Sequence, residues 1–136
     1  AVGPGFLILT AIVPLIGTTL NDPRIATNGM GGGHAYYFRT TFNLTNPPAE
    51  YTFTVNAYVD DGAVFYVNGV EIPTRLRMNP GAVTNATLAA ALPPGNDALA
   101  PDAIPIPSSY FFLGQNVLAA EVHLETAASS DITFAL

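Results

Sequence analysis

Cysteine, tryptophan and lysine are all absent from this chain. Without cysteine there is no disulfide frame, no thiol nucleophile and no thiolate metal site. Without lysine, the cationic side chains are four arginines. Charged residues of both signs reach only 10%, against about 25% in an average soluble domain. Carboxylates outweigh the arginines, and the formal net charge is −6. Such a chain lacks the basic footprint that nucleic acid requires, and anionic lipid does not attract it. The most apolar run, residues 6–16, is eleven residues long and contains Pro14. A membrane-spanning helix needs about 20, so no membrane span is expected. Hydrolase and phosphate-binding motifs are missing too: there is no G-x-S-x-G, no H-E-x-x-H and no P-loop. The adjacent Asp60 and Asp61 point to opposite faces of an extended chain, which does not suit a glycosidase pair. The expectation is a protein without catalytic activity.

What is present is 136 residues, 49% of them hydrophobic, enough for one domain with its own core. The chain divides into an apolar stretch at 1–17, a Gly/Asn-rich linker or loop at 18–34, and a domain at 35–136. The first residue is Ala1 rather than Met. Removal of a secretion signal is therefore expected, with an extracellular or cell-surface location.

Period-two alternation dominates the domain, and no convincing 3.6-residue pattern competes with it. Tyr36, Phe38, Thr40, Phe42 and Leu44 share one face; Tyr37, Arg39, Thr41 and Asn43 share the other. Over 51–59, Tyr51, Phe53, Val55, Ala57 and Val59 alternate with Thr52, Thr54, Asn56 and Tyr58. A further strand is expected at 63–67, followed by Asn68-Gly69, the strongest short hairpin signal, and a return at 70–72. Residues 80–109 carry Pro80, Pro93, Pro94, Pro101, Pro105 and Pro107. Mostly loop is expected there, with one short strand near 83–88 and one helical turn at 88–92 that Pro93 stops. In 116–125, Leu118, Ala120, Val122 and Leu124 are expected to face inward, and Ala119, Glu121, His123 and Glu125 outward. Ile132, Phe134 and Leu136 close the sheet. Short strands joined by Gly, Pro and Asn turns predict an all-β antiparallel β-sandwich of jelly-roll type.

From about residue 36 to 134 the chain resembles the galactose-binding-domain-like jelly rolls, carbohydrate-binding-module-like accessory domains of secreted bacterial proteins. The resemblance rests on four stretches in order. They are Tyr37-Phe38-Arg39-Thr40-Thr41-Phe42, the run from Val59-Asp60-Asp61-Gly62 through Val67-Asn68-Gly69-Val70-Glu71-Ile72, the run from Leu113-Gly114-Gln115-Asn116 to Glu121-Val122-His123, and Ser129-Ser130-Asp131-Ile132-Thr133-Phe134. It implies the sandwich fold and a non-catalytic role, because this fold hosts sugar binders, adhesins and spacers alike. The chain departs from the family at its start. Related modules carry a Trp-containing strand where this one has the apolar segment 6–16.

That segment is apolar on both faces when extended. Phe6, Ile8, Ile12 and Ile16 lie on one side, and Leu7, Leu9, Val13 and Leu15 on the other. Such a strand needs burial on both faces and aggregates if left in water. Two arrangements satisfy it: the first strand of its own sandwich, or a strand inserted into a neighbouring subunit. The second makes Phe6, Leu7, Ile8, Leu9, Ile12 and Val13 an assembly strand, and a non-closing exchange gives a fibre. The absence of lysine agrees, because lysine is a common guard of exposed sheet edges. The leading expectation is a secreted structural subunit that forms a homopolymer, an extracellular filament or matrix, by donating its N-terminal strand.

The alternative is a carbohydrate-binding or adhesin module with glycans as partners. Asp60 and Asp61, with Asn68, are the candidate sugar or Ca²⁺ loop, since Ca²⁺ takes several oxygen ligands; a plain Asp/Gly turn explains the triplet equally. No other cofactor is expected. Glu121 and His123 form a candidate polar stripe with Glu125, set against a solvated strand face. Candidate sugar platforms are Tyr58, Tyr66, Tyr110, Phe111 and Phe112. Asn43-Leu44-Thr45 and Asn85-Ala86-Thr87 match the N-glycosylation pattern at Asn43 and Asn85.

Overall fold

The computed structural model describes residues 34–96, 100–129 and 132–136. The expected donor strand at 6–13 and the linker at 18–33 lie outside the described residues. Seven strands are described: β1 (Ala35–Leu44), β2 (Phe53–Asp60), β3 (Gly62–Val67), β4 (Val70–Glu71), β5 (Asp102–Ile106), β6 (Gly114–His123) and β7 (Thr133–Ala135). They form two sheets, β1-β6-β3-β4 and β5-β2-β7. Every pairing is antiparallel. The fold is the expected all-β sandwich.

Alternation decides which side chains fill it. Phe53, Val55, Ala57 and Val59 are buried from one sheet, and Leu44, Phe65, Val67, Leu118, Ala120 and Val122 from the other. Full burial of a Val, Leu, Ile or Phe side chain contributes roughly 1.5–3 kcal/mol. Phe53 of β2 stacks on Phe111, in the segment leading into β6, with ring centroids 3.8 Å apart. Between the sheets, Phe38 of β1 stacks on Phe134 of β7 at 4.3 Å. The second pair shows that β1 lies over β7.

The β3–β4 turn forms as its Asn-Gly pair predicts. Asn68 has φ 51° and Gly69 φ 81°, the double positive φ of a two-residue hairpin that matches strand twist. The proline-rich region differs from expectation. No strand forms at 83–88, where Thr84 and Thr87 close a turn on each other instead: the Thr87 N–H donates to the Thr84 carbonyl, and the Thr84 N–H to the Thr87 hydroxyl, both at 2.9 Å. No helical turn forms at 88–92. The Ala89 N–H donates to Leu124 O at 2.9 Å and the Ala90 N–H to Arg77 O at 2.7 Å, which holds this stretch against the sandwich. The strand of this region is β5, with Pro105 inside it opposite Thr54. Because β5 is the edge of its sheet among the described residues, the missing proline N–H costs no ladder hydrogen bond there.

Candidate functional site

Three places bear on function: the Asp-Asp-Gly junction, the outer face of the four-stranded sheet, and the open edge of β2.

Asp60, Asp61 and Gly62 form the crossover from β2 in one sheet to β3 in the other. Asp60 and Asp61 are buried. The Asp61 carboxylate accepts the Glu125 N–H at 2.6 Å. Arg77 staples the crossover, donating to Asp61 O at 2.5 Å and Val59 O at 2.8 Å and pairing with Asp102 of β5 at 2.9 Å. Gly62 serves close packing here. A Cβ on it would lie 2.7 Å from Ala89 Cβ and 2.8 Å from Met78 Sδ.

Asn68 stands at the other end of β3, a strand of six residues, about 20 Å away at about 3.3 Å per residue. Its side chain is committed. The amide nitrogen donates to Tyr110 O at 2.9 Å and Asn116 Oδ1 at 2.8 Å, and the oxygen accepts the Val117 N–H at 2.9 Å. The expected grouping of Asp60, Asp61 and Asn68 in one sugar or Ca²⁺ loop is therefore corrected, because a whole strand separates them and Asn68 knits backbone together. Among the described residues no group of three or more His, Asp or Glu side chains is placed to hold a metal ion.

Glu121 and His123 do lie on the outer side of β6, but the expected solvated stripe is also corrected. Both are buried, Glu121 at 7% exposure and His123 at 0%: Tyr37 and Tyr66 lie against Glu121, and the segment carrying Thr87 lies against His123. The His123 Nδ1–H donates to the Thr87 carbonyl at 2.7 Å, a carbonyl being able only to accept. Its Nε2 sits 3.2 Å from Glu121 Oε1, outside hydrogen-bond alignment.

Glu121 is the hub of this face. Its two carboxylate oxygens accept the hydroxyls of Tyr37 and Tyr66, each at 3.2 Å. Register explains the convergence: Tyr37 of β1 stands opposite Glu121 of β6, while Arg39 stands opposite Ala119, and Ala119 opposite Tyr66 of β3. Burial first, and then the charge and hydrogen bond of Glu121, push the Tyr66 hydroxyl up to about 12. The same causes raise Tyr37. Both phenols thus remain protonated donors to an acceptor-only carboxylate. The small side chain of Ala119, between Arg39 and Tyr66, leaves a cavity of about 330 Å³ lined by Tyr37, Arg39, Tyr66, Ala119 and Glu121.

Of the expected platforms, Tyr66 is the one that reaches this cavity. Phe111 is buried against Phe53. Tyr58 and Tyr110 are half-buried, and Phe112 is exposed. Tyr37, 66% exposed, went unrecognised in the sequence. Its outward position on β1 was legible, but its partner Glu121 lies 84 residues away. Asn43, outward on β1, and Asn85, in the 84–87 turn, are both exposed.

The third place is the edge of β2. On the side of β2 away from β5, β7 pairs only with Tyr58, Val59 and Asp60. Among the described residues, no strand lies beside β2 on that side between Phe53 and Ala57. A small space of about 10 Å³ between the sheets is lined by Phe42, Phe53, Thr54, Val55, Ile106, Phe111 and Leu118.

Among the described residues no helix is long and apolar enough to cross a membrane. No protein-family profile matches the sequence, and neither a curated protein nor a solved structure matches it.

Proposed function

We propose that the chain is a non-catalytic extracellular structural subunit that assembles with copies of itself, donating residues 6–13 as a strand to a neighbour. The observation that carries this reading is the edge of β2 at 53–57, beside which, among the described residues, no strand lies on the side away from β5. A strand edge left open presents unpaired N–H and C=O groups. The occupant it suits is an extended segment supplying main-chain hydrogen bonds along the edge.

The chain carries such a segment in Phe6, Leu7, Ile8, Leu9, Ile12 and Val13. Eight extended residues reach about 26 Å at about 3.3 Å each, enough to run past the five open positions of β2. One apolar face of the donated strand would extend the inner face of the β2 sheet. The other would lie in the contact between subunits, which explains why both are apolar. Repeated head to tail without closure, the exchange builds a fibre or matrix. This placement also keeps the galactose-binding-like resemblance in view as a matter of fold, with assembly as the role.

Negative-stain electron microscopy of the purified protein, with and without residues 1–16, tests the proposal. Filaments are expected from the full chain and not from the truncation, and a synthetic peptide of residues 6–13 should bind the truncated protein. Monodisperse particles from both chains would return the segment to its own sandwich and overturn the exchange.

A further inference from the structure

We infer that the cavity between Tyr37, Arg39, Tyr66 and Glu121 binds a free α-amino acid with an apolar or aromatic side chain. The site lies on the outer face of β1, β6 and β3 and does not depend on the β2 edge.

The two ends of the cavity select the ligand. At one end the hydroxyl protons are already spent inward. Tyr37 and Tyr66 each donate to a Glu121 oxygen at 3.2 Å. The cluster therefore offers the cavity acceptors only, namely the remaining lone pairs of the carboxylate and of the two phenol oxygens. It also offers a negative charge. The phenols are neutral donors, and the arginine ion pairs among the described residues go to Glu71 and Asp102 rather than to Glu121. His123 Nε2, 3.2 Å away, makes no hydrogen bond to it. A carboxylate at 7% exposure gains from a cation that brings its own donors. An ammonium brings one positive charge and three N–H donors, and three acceptor groups meet it here. The phenols hold the carboxylate in a fixed position, so little order is lost on binding.

The other end holds the complement. Arg39 lines the cavity and is exposed. Unlike Arg75 with Glu71 and Arg77 with Asp102, it has no carboxylate partner among the described residues. Its guanidinium suits a carboxylate as a two-pronged donor. Register sets the spacing. Tyr37 stands opposite Glu121 and Arg39 opposite Ala119, so Arg39 and Glu121 are diagonal neighbours, about 7–8 Å apart at the backbone. A free α-amino acid carries both charges on one carbon and spans that gap, whereas a peptide holds its terminal charges further apart. A ligand with only one charge meets a like charge at the far end. The amino acid's own side chain would pack on Tyr37, at 66% exposure, and over the small Ala119. The volume of about 330 Å³ lies at the low end of the roughly 300–1,000 Å³ of small-molecule sites.

Saturation-transfer difference NMR on the full chain tests the assignment, and the method works whether or not the protein polymerises. The probes are phenylalanine, leucine, N-acetylphenylalanine, phenylalanine amide and galactose. Saturable transfer to phenylalanine or leucine is expected. N-acetylphenylalanine lacks the ammonium and phenylalanine amide lacks the carboxylate, so each should bind roughly tenfold more weakly or worse than phenylalanine. Arg39→Ala, at an exposed position, should weaken amino-acid binding by roughly tenfold. Ala119→Leu fills the cavity from an outward position and should weaken it by at least about as much. Circular dichroism should show both variants folded. Four results would each overturn the assignment: no saturable transfer to either amino acid, a blocked form binding as well as phenylalanine, galactose binding more tightly than both amino acids, or undiminished binding in either folded variant.

Discussion

Replacing Asn116 by alanine should destabilise the domain by about 2–4 kcal/mol. Asn116 has 0% exposure and uses its full side-chain capacity. Its oxygen accepts the Phe112 N–H and the Asn68 amide, both at 2.8 Å. Its nitrogen donates to Phe112 O at 2.8 Å and Gly114 O at 2.9 Å. At about 0.5–1.5 kcal/mol net for each bond, the four together are worth roughly 2–6 kcal/mol. The upper part of that range is not expected. The Asn68 amide keeps Tyr110 O as a partner, and Phe112 is exposed enough for water to reach its backbone. Urea unfolding followed by far-UV circular dichroism measures the loss. For a slope of roughly 2 kcal/mol per molar, the midpoint should fall by about 1–2 M. Asn68→Ala should couple to it, so the double variant should lose less than the sum of the single losses. A loss below about 1 kcal/mol for Asn116→Ala would refute the reasoning. It would mean that the Asn68–Asn116 pair does not hold the β3–β4 hairpin to the start of β6, and would return Asn68 to the candidate ligands.

Two further outcomes follow from the same geometry. Gly62→Ala should cost about 1–3 kcal/mol by overpacking, because the new methyl meets Ala89, Met78 and the Arg77 backbone at 3.0 Å or less; an unchanged urea midpoint would contradict the close approach. Tyr66 ionises late, near 12 against an ordinary 10.0. Its folded value is raised, so its contribution to stability is complete below pH 10 and is lost as the pH climbs to about 12. Ultraviolet titration of the phenolates should show a late-titrating tyrosine that Tyr66→Phe removes.

Much of the sandwich was legible along the chain because strand alternation and turn chemistry are local. Phe53, Val55, Ala57 and Val59 repeat every second residue, and the Asn68-Gly69 pair encodes its own positive φ values. β5 was not legible, because Pro105 argues against a strand until the strand is known to be an edge. Glu121 and His123 read as solvent-facing because they alternate with Ala120 and Val122, and alternation reports which face a side chain takes but not what covers that face. The segment around Thr87, 36 residues before His123 in the chain, lies against His123, and Tyr37 and Tyr66 lie against Glu121.

Strand periodicity, the hairpin, the inward set, the strand that separates Asp61 from Asn68 and the apolar, lysine-free character of the chain were readable along it, since each depends on neighbours a few residues apart. The packing of whole strands was needed to set β7 against β2 at 58–60 alone and to bring Tyr37, Tyr66 and Glu121 together. Those facts are set by strand order and register, which join residues 55 and 84 positions apart. Such contacts depend on how whole strands pack, and no local pattern encodes them.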